Sequence, residues 1–271
     1  MKMLKDITFG QYYENKSFVH SIDPRIKILL MIIFIVFIFL AGNAVALLFS
    51  ALCVFVIAIA SKVPLKLYLK NMKAILPVLI FTAVINLFYG DGGKVLFSIW
   101  SLEITTAGLY RSFFMAMRIF LLIFVSSALT YTTTPNDLTD AIESLLSPLK
   151  FIGLKNAVHT LAMMMTIALR FIPTLIEEAE KIMNAQKARG ADLESGGLID
   201  RVKALIPILI PLLISSVRRA YELAEAMECR CYNGGEGKTR MKQMTLKATD
   251  LVAFILVSLM CISIILINIL L

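Results

Sequence analysis

Apolar residues run almost without interruption from Ile28 to Ala60, with a break at Gly42-Asn43. A hydrocarbon core roughly 30 Å thick takes about 20 apolar residues per helical span. The run is therefore too long for one untilted helix and predicts two, meeting at the Gly-Asn turn. Just ahead of it, Asp23-Pro24 reads as a helix start, because aspartate caps free N–H groups and proline at the first helical position loses no hydrogen bond. Ala74 to Tyr89 predicts a third span and Ala107 to Tyr131 a fourth. Leu251 to Leu271, which carries no charge, predicts the last. The first apolar run begins only after Lys27 and more follow it, so a cleavable signal is not expected.

Charge orients these segments. Ser61 to Lys73 carries Lys62, Lys66, Lys70 and Lys73 and no acid, which by the positive-inside rule places it, and with it the N-terminus, in the cytoplasm. Gly90 to Thr106, where Lys94 is the one basic residue, then suits the outer face. The fourth span carries Arg111 and Arg118 on one face. Charge at that depth points to packing into the bundle interior or at a headgroup, with a transport pathway as the alternative.

From Thr132 the pattern changes. Thr134-Pro135 is a second cap-and-proline start, and Leu138, Ile142, Leu145, Leu146 and Leu149 fall on one face of an amphipathic helix. Ala157 to Ile176 is apolar but interrupted by His159 and Arg170. It is read as not crossing, although a sixth span there would reverse the side of the C-terminus. Between Glu177 and Thr249 both signs of charge abound, and the one apolar island, Leu205 to Ile214, is too short to span. The chain thus divides into N-terminal membrane helices at 1–131, a cytoplasmic or interfacial region at 132–249 and a C-terminal span at 250–271. The fold class is all-α, a polytopic membrane protein with about five spans.

Composition agrees: 59% of the 271 residues are hydrophobic and the mean hydropathy is +0.82, well above an ordinary soluble domain. The net charge of +8 fits cytoplasmic loops rather than nucleic acid. Cys53 and Cys261 lie in apolar runs. Cys229 and Cys231 form a C-x-C with no second pair and no nearby histidine, so no metal site is expected.

The charged region contains an internal repeat. Ala185 to Gly190 can be laid over Ala226 to Cys231, and Ala179 then falls on Ala220. The first helix has an apolar stripe of Ile172, Leu175, Ile176, Ala179, Ile182 and Met183, the second one of Val217, Ala220, Tyr221, Ala224 and Met227. The pairs Glu177 with Lys181 and Arg218 with Glu222 support exposed helices. Gly190-Ala191-Asp192 and Asn233-Gly234-Gly235 stop the two helices, so Arg189 and Arg230 sit near helix C-termini. Spacing leaves their role open, because the helix dipole alone favours a cation there.

Here the chain resembles the transmembrane T components of energy-coupling factor transporters, which include the corresponding subunits of cobalt and nickel importers. His20-Ser21-Ile22-Asp23-Pro24-Arg25-Ile26-Lys27 resembles that family's N-terminal signature, and Ala188-Arg189-Gly190 the first of its two Ala-Arg-Gly motifs. Cys229-Arg230-Cys231 stands where the second would be, keeping the arginine and replacing both small neighbours. The resemblance implies that the arginine-bearing helices are coupling helices, each docking into a groove on one of two cytoplasmic ABC-type ATPase subunits. The partner-binding set would be Arg189, Arg230, Ala188, Gly190, Cys229 and Cys231. It further implies a substrate-binding membrane subunit, with vitamins or metal ions as cargo. ATP would be bound by the partners, and this chain would be a non-catalytic, multi-pass subunit of the cell membrane without a cofactor of its own.

Two other classes are weighed against this. A self-sufficient secondary transporter should carry charged pairs at mid-membrane, yet no acid accompanies Arg111 and Arg118 within the spans. An ATP-hydrolysing or other enzyme lacks its chemistry: Gly237-Lys238-Thr239 imitates the end of a phosphate loop, but Tyr232 occupies the position of the required earlier glycine. His20 and His159 are the only histidines.

Overall fold

The computed structural model describes residues 12–88, 95–99, 102–148, 155–191, 197–233 and 245–270. Its helices are α1 (Phe18–Ser21), α2 (Pro24–Leu40), α3 (Ala44–Ser61), α4 (Leu65–Phe88), α5 (Thr106–Thr132), α6 (Pro135–Leu145), α7 (Lys155–Ala188), α8 (Leu198–Cys229) and α9 (Ala248–Leu270). Strands β1 (Val95–Ile99) and β2 (Leu102–Thr105) form an antiparallel hairpin between α4 and α5. The described residues form two compact units, 12–141 with 245–270, and 142–233.

The first unit is a bundle of apolar helices. Asp23 caps α2 through the Arg25 N–H at 2.9 Å, and Pro24 occupies its first position. The helix ends at Leu40, where the chain turns through Gly42-Asn43 into α3. That turn is held from two sides. The Asn268 side chain accepts from the Gly42 N–H at 3.1 Å and donates to the Leu40 carbonyl at 3.3 Å. Arg118 donates to the Ala41 carbonyl at 2.6 Å and lies over the Phe114 ring. A helix end leaves carbonyls without intrahelical partners, so the cation of α5 meets the negative end of α2. Arg118 is therefore accounted for by structure.

The core gathers around Tyr68, Phe34, Ile38, Leu121 and Ile264, all at 2% exposure or less. Tyr68 stacks on Phe124 at 4.2 Å and meets Tyr131 edge-on at 5.2 Å, and its hydroxyl lies 3.2 Å from that of Ser61. Outward faces of the same helices carry large apolar side chains such as Leu48, Phe81, Phe113 and Leu266, each more than half exposed. A surface of that kind suits hydrocarbon rather than water.

Three expectations are modified. The Ser61–Lys73 loop shrinks to Lys62, Val63 and Pro64, because α4 starts at Leu65 rather than Ala74. Lys66, Lys70 and Lys73 thus sit at helical spacing on its first turns, exposed. The expected link between the third and fourth spans contains the β-hairpin, whose alternating Val, Phe, Ile and Thr suit extended chain. Finally, among the described residues six helices rather than about five are long and apolar enough to cross a membrane: α3, α4, α5, α9 and parts of α7 and α8. The 17-residue α2 is just shorter.

The extra two arise because Ala157–Ile176 and Leu205–Ile214, read as non-crossing from the surrounding charge and the short apolar run, lie inside α7 and α8, which continue through Pro173 and through Pro207 and Pro211. A proline inside a helix leaves the carbonyl four residues earlier without its donor. For Pro211 that is the Pro207 carbonyl, and Gln186 of α7 donates to it at 3.4 Å. The island Leu205–Ile214 is thus part of a 32-residue helix. By mean hydropathy α7 and α8 are the least apolar of the six, 1.4 against 1.7 to 2.8 for the others.

Residues Tyr12–Ser21 lie against the bundle: the Tyr13 N–H donates to the Tyr131 carbonyl at 2.9 Å and Asn15 to the Lys62 carbonyl at 3.0 Å. His20 bridges the Ser17 hydroxyl (2.7 Å, Nδ1) and the Tyr13 carbonyl (3.0 Å, Nε2). A carbonyl only accepts, so Nε2 carries the proton. Burial, the largest influence, holds the imidazole below its usual value, and the folded segment prefers it neutral. Its contribution is complete above the unfolded value near about 6.5 and is lost as pH falls through the lower folded one. The protection of residues 13–21, their exchange relative to the intrinsic rate at each pH, is therefore expected to fall from about pH 7.5 to about pH 5, and a His20→Gln variant to lose that dependence. Equal pH dependence in the variant would contradict this.

Candidate functional site

The repeat seen in the sequence becomes a repeated backbone geometry. At the end of α7 the Ala191 N–H donates to the Gln186 carbonyl at 3.0 Å, and the Gly190 N–H to that of Lys187 at 3.0 Å. Gly190 has φ +86°. This is a Schellman ending with Arg189 as the last half-helical residue. At the end of α8 the Tyr232 N–H donates to the Met227 carbonyl at 3.1 Å, and the Cys231 N–H to that of Glu228 at 2.8 Å. Cys231 has φ 54°. The two pairs of bonds have the same spacing, so Arg230 holds the position of Arg189.

Ala188, Arg189, Gly190, Cys229, Arg230 and Cys231 are all exposed. Each guanidinium therefore stands exposed at a helix terminus beside its last carbonyls. A guanidinium offers a planar fork of donors where an ammonium would supply only a point charge. Replacing the second glycine by cysteine keeps the cap and adds strain, because an L side chain in the left-handed region costs roughly 1–2 kcal/mol. Cys231→Gly is expected to slow amide exchange at the end of α8 about fivefold, equivalent to about 1 kcal/mol. Unchanged or faster exchange would contradict the strain.

Contacts between α7 and α8 fix where the two ends lie. Glu178 of α7 accepts hydrogen bonds from Ser215 and Arg219 of α8, and Gln186 reaches Pro207. Beyond the end of α8, the Tyr232 hydroxyl donates to the Met163 sulfur at 2.6 Å. Positions rising along one helix meet positions falling along the other, so the pair is antiparallel. Arg230 then lies level with the region of Met163 and Met164, roughly 25 residues along α7 from Arg189. At 1.5 Å per residue, the arginines are roughly 35 Å apart, at opposite ends of the pair.

The sequence stripes have unequal fates. The one on α7, Ile172 to Met183, is half-buried throughout. On α8, by contrast, Ser215 and Arg219 face α7, and Tyr221 and Val217 remain 74% and 47% exposed. The side of α8 that meets α7 thus carries Ser215 and Arg219 and lies opposite the apolar stripe. Asp192 and Gly234 to Thr239, including the imitation phosphate loop, lie outside the described residues. Among the described residues no group of three or more His, Cys, Asp or Glu could hold a metal ion.

Sequence reading missed a buried polar cluster in the first unit, made by Asp23, Lys27, Thr132, Thr133 and Asp250, each at 8% exposure or less. The available signal was the charge at the foot of two otherwise apolar helices, Arg25 and Lys27 in α2 and Asp250 in α9.

Residues 15–242 match the family described as cobalt transport protein (CbiQ). The chain is 51% identical over 250 residues to an energy-coupling factor transporter transmembrane protein EcfT of Ruminiclostridium cellulolyticum, covering 92% of each. It is 50% identical over 252 residues to that of Clostridium kluyveri, covering 93% of each. With the counterpart from Thermosediminibacter oceani it shares 46% over 257 residues, 95% of this chain and 96% of the other. The chain belongs to the family of energy-coupling factor transporter transmembrane proteins.

Proposed function

We propose that the protein is the energy-coupling scaffold of an ATP-driven importer, with Arg189 and Arg230 each docked in a groove of a separate ABC-type ATPase subunit. Residues 132–249 form the coupling region and, with the N-terminus, face the cytoplasm, while 1–131 and 250–271 hold the membrane helices. ATP is bound and hydrolysed by the partners alone. Their movement is passed through α7 and α8 to the membrane helices, and a separate substrate-binding membrane subunit releases a vitamin or metal ion inward.

The observation that supports this best is the pair of matched Schellman ends, each presenting an exposed arginine at an opposite end of one antiparallel helix pair. A lone cation favoured by a helix dipole needs no such repetition. The secondary-transporter reading loses its main support, because Arg118 is taken up by the Ala41 carbonyl. The test is purification of the tagged chain in mild detergent and identification of what travels with it. Two ATPase subunits are expected, and their absence from the wild-type preparation would overturn the reading.

A further inference from the structure

Apart from residues 1–11, which lie outside the described set, the chain passes between its two units twice, after Ala141 and after Lys242. On the outward passage α5 ends at Thr132 and α6 begins at Pro135. On the return, Lys247 leads into α9. Both passages are fastened to the same turn of α2.

The outward fastening is Lys27. Its ammonium donates to the Thr132 carbonyl at 3.0 Å and to the Thr133 hydroxyl at 3.2 Å. Thr132 is the last residue of α5, whose terminal carbonyls lack intrahelical donors and carry the negative end of the dipole. The return fastening is Asp250, 1% exposed. One of its oxygens accepts from the Asp23 N–H at 2.7 Å, and the other reaches back to the Lys247 N–H at 2.7 Å. The two fastenings share the same surroundings, because Asp137, Asp23 and Asp250 all place negative charge near enough to favour the Lys27 ammonium.

Such a cluster does not deform gradually. A buried charge is tolerated only while paired and hydrogen-bonded, and losing one partner leaves the other uncompensated. Apolar packing would let α5 and α9 slide against α2, whereas directed bonds from a buried ammonium and a buried carboxylate hold them in register. Displacement of α6, or of the turn that enters α9, is therefore delivered to the first turn of α2.

We infer that the first turn of α2, Asp23 to Lys27, is the joint through which movement of the α7–α8 unit enters the membrane helices, with Lys27 and Asp250 as its positioning residues. The inference rests on the coupling function proposed above and assigns that function an entry point distant in sequence from both arginines.

The test uses the complex assembled with its ATPase subunits, in detergent, with Mg²⁺-ATP added. Hydrogen exchange is followed in two places, along α7 and α8 and at residues 22–30 and 246–253. In the wild type, ATP is expected to change exchange at both. In Lys27→Met and in Asp250→Asn, whose amide sets an N–H₂ against a backbone donor, the change should persist in α7 and α8 and fall at least fivefold at the other segments. Lys27→Arg, which keeps the charge and the donors, should restore it. A merely structural role would alter basal exchange without removing the response to ATP.

An ATP response that reaches residues 22–30 and 246–253 undiminished in both variants overturns the joint, as does its absence there in the wild type while α7 and α8 respond. Should Lys27→Met not accumulate, Thr133→Val, which removes one acceptor only, is read by the same criteria. Failure of wild type to bind any ATPase subunit overturns instead the coupling function on which the joint depends.

Discussion

Reversing both arginines, Arg189→Glu with Arg230→Glu, is expected to strip the complex of both ATPase subunits and leave the chain folded in the membrane. Each side chain is exposed at a helix end, where a surface change usually alters stability by about 0.5 kcal/mol and reversal against the helix dipole adds roughly 0.3–1 kcal/mol, too little to unfold the chain. In a docked socket the arithmetic differs. Truncating an interfacial arginine commonly costs about 2–4 kcal/mol, and a glutamate facing the partner's acceptors adds like-charge repulsion. Each reversal should weaken its own contact by about 100-fold or more. The sites are roughly 35 Å apart, far beyond the range over which mutations couple, so the two losses should add. Retention of both ATPase subunits by the double variant would contradict the docking role.

Gly108→Ala is expected to have the largest effect on the bundle itself. A Cβ there would lie 2.5 Å from the Leu87 carbonyl oxygen, a backbone atom that cannot swing aside. Gly108 is buried in the first turn of α5, where its N–H donates to the Thr105 hydroxyl at 3.1 Å. One turn on, the Ser112 hydroxyl donates to the Ala83 carbonyl of α4 at 2.7 Å. Small residues four apart let membrane helices approach closely, and filling the gap must push α4 and α5 apart. Overpacking of this kind costs typically about 1–3 kcal/mol. A lower melting temperature of the purified chain in detergent, with the contacts of α7 and α8 intact, is the result expected. An unchanged melting temperature would show that the two helices yield without cost.

These two predictions mark what could and could not be read from the chain. The bounds of α5 were legible to within one residue, Ala107–Tyr131 against Thr106–Thr132, because apolar content and terminal polar residues coincide there. The Gly42-Asn43 break and the Asp23-Pro24 and Thr134-Pro135 starts were equally plain, since each rests on local backbone chemistry. The charge around Ala157–Ile176 and Leu205–Ile214 misled for the converse reason, because it hid the continuity of α7 and α8 through Pro173, Pro207 and Pro211. Whether a proline ends a helix depends on what meets the carbonyl it orphans, and Gln186 lies 21 residues from the Pro207 carbonyl it serves. The early start of α4 was hidden by lysines that signal a loop by charge and lie on a helix by geometry.

At the candidate site, the two arginines and their helix-stopping neighbours were visible as a repeat. The equivalence of their backbones was visible only as Cys231 falling on Gly190 in that repeat, because a cysteine by itself does not favour the left-handed conformation it adopts. The Asp23–Asp250 contact spans 227 positions, a separation at which a single sequence carries no signal.

The central claim is that one chain carries two equivalent and independent ATPase docks, and the mass of the intact complex tests it most directly. Native mass spectrometry of the detergent-purified assembly should find two ATPase subunits bound to wild type, one to Arg189→Glu, one to Arg230→Glu and none to the double variant. Two ATPase subunits on the double variant, or none on the wild type, would contradict it.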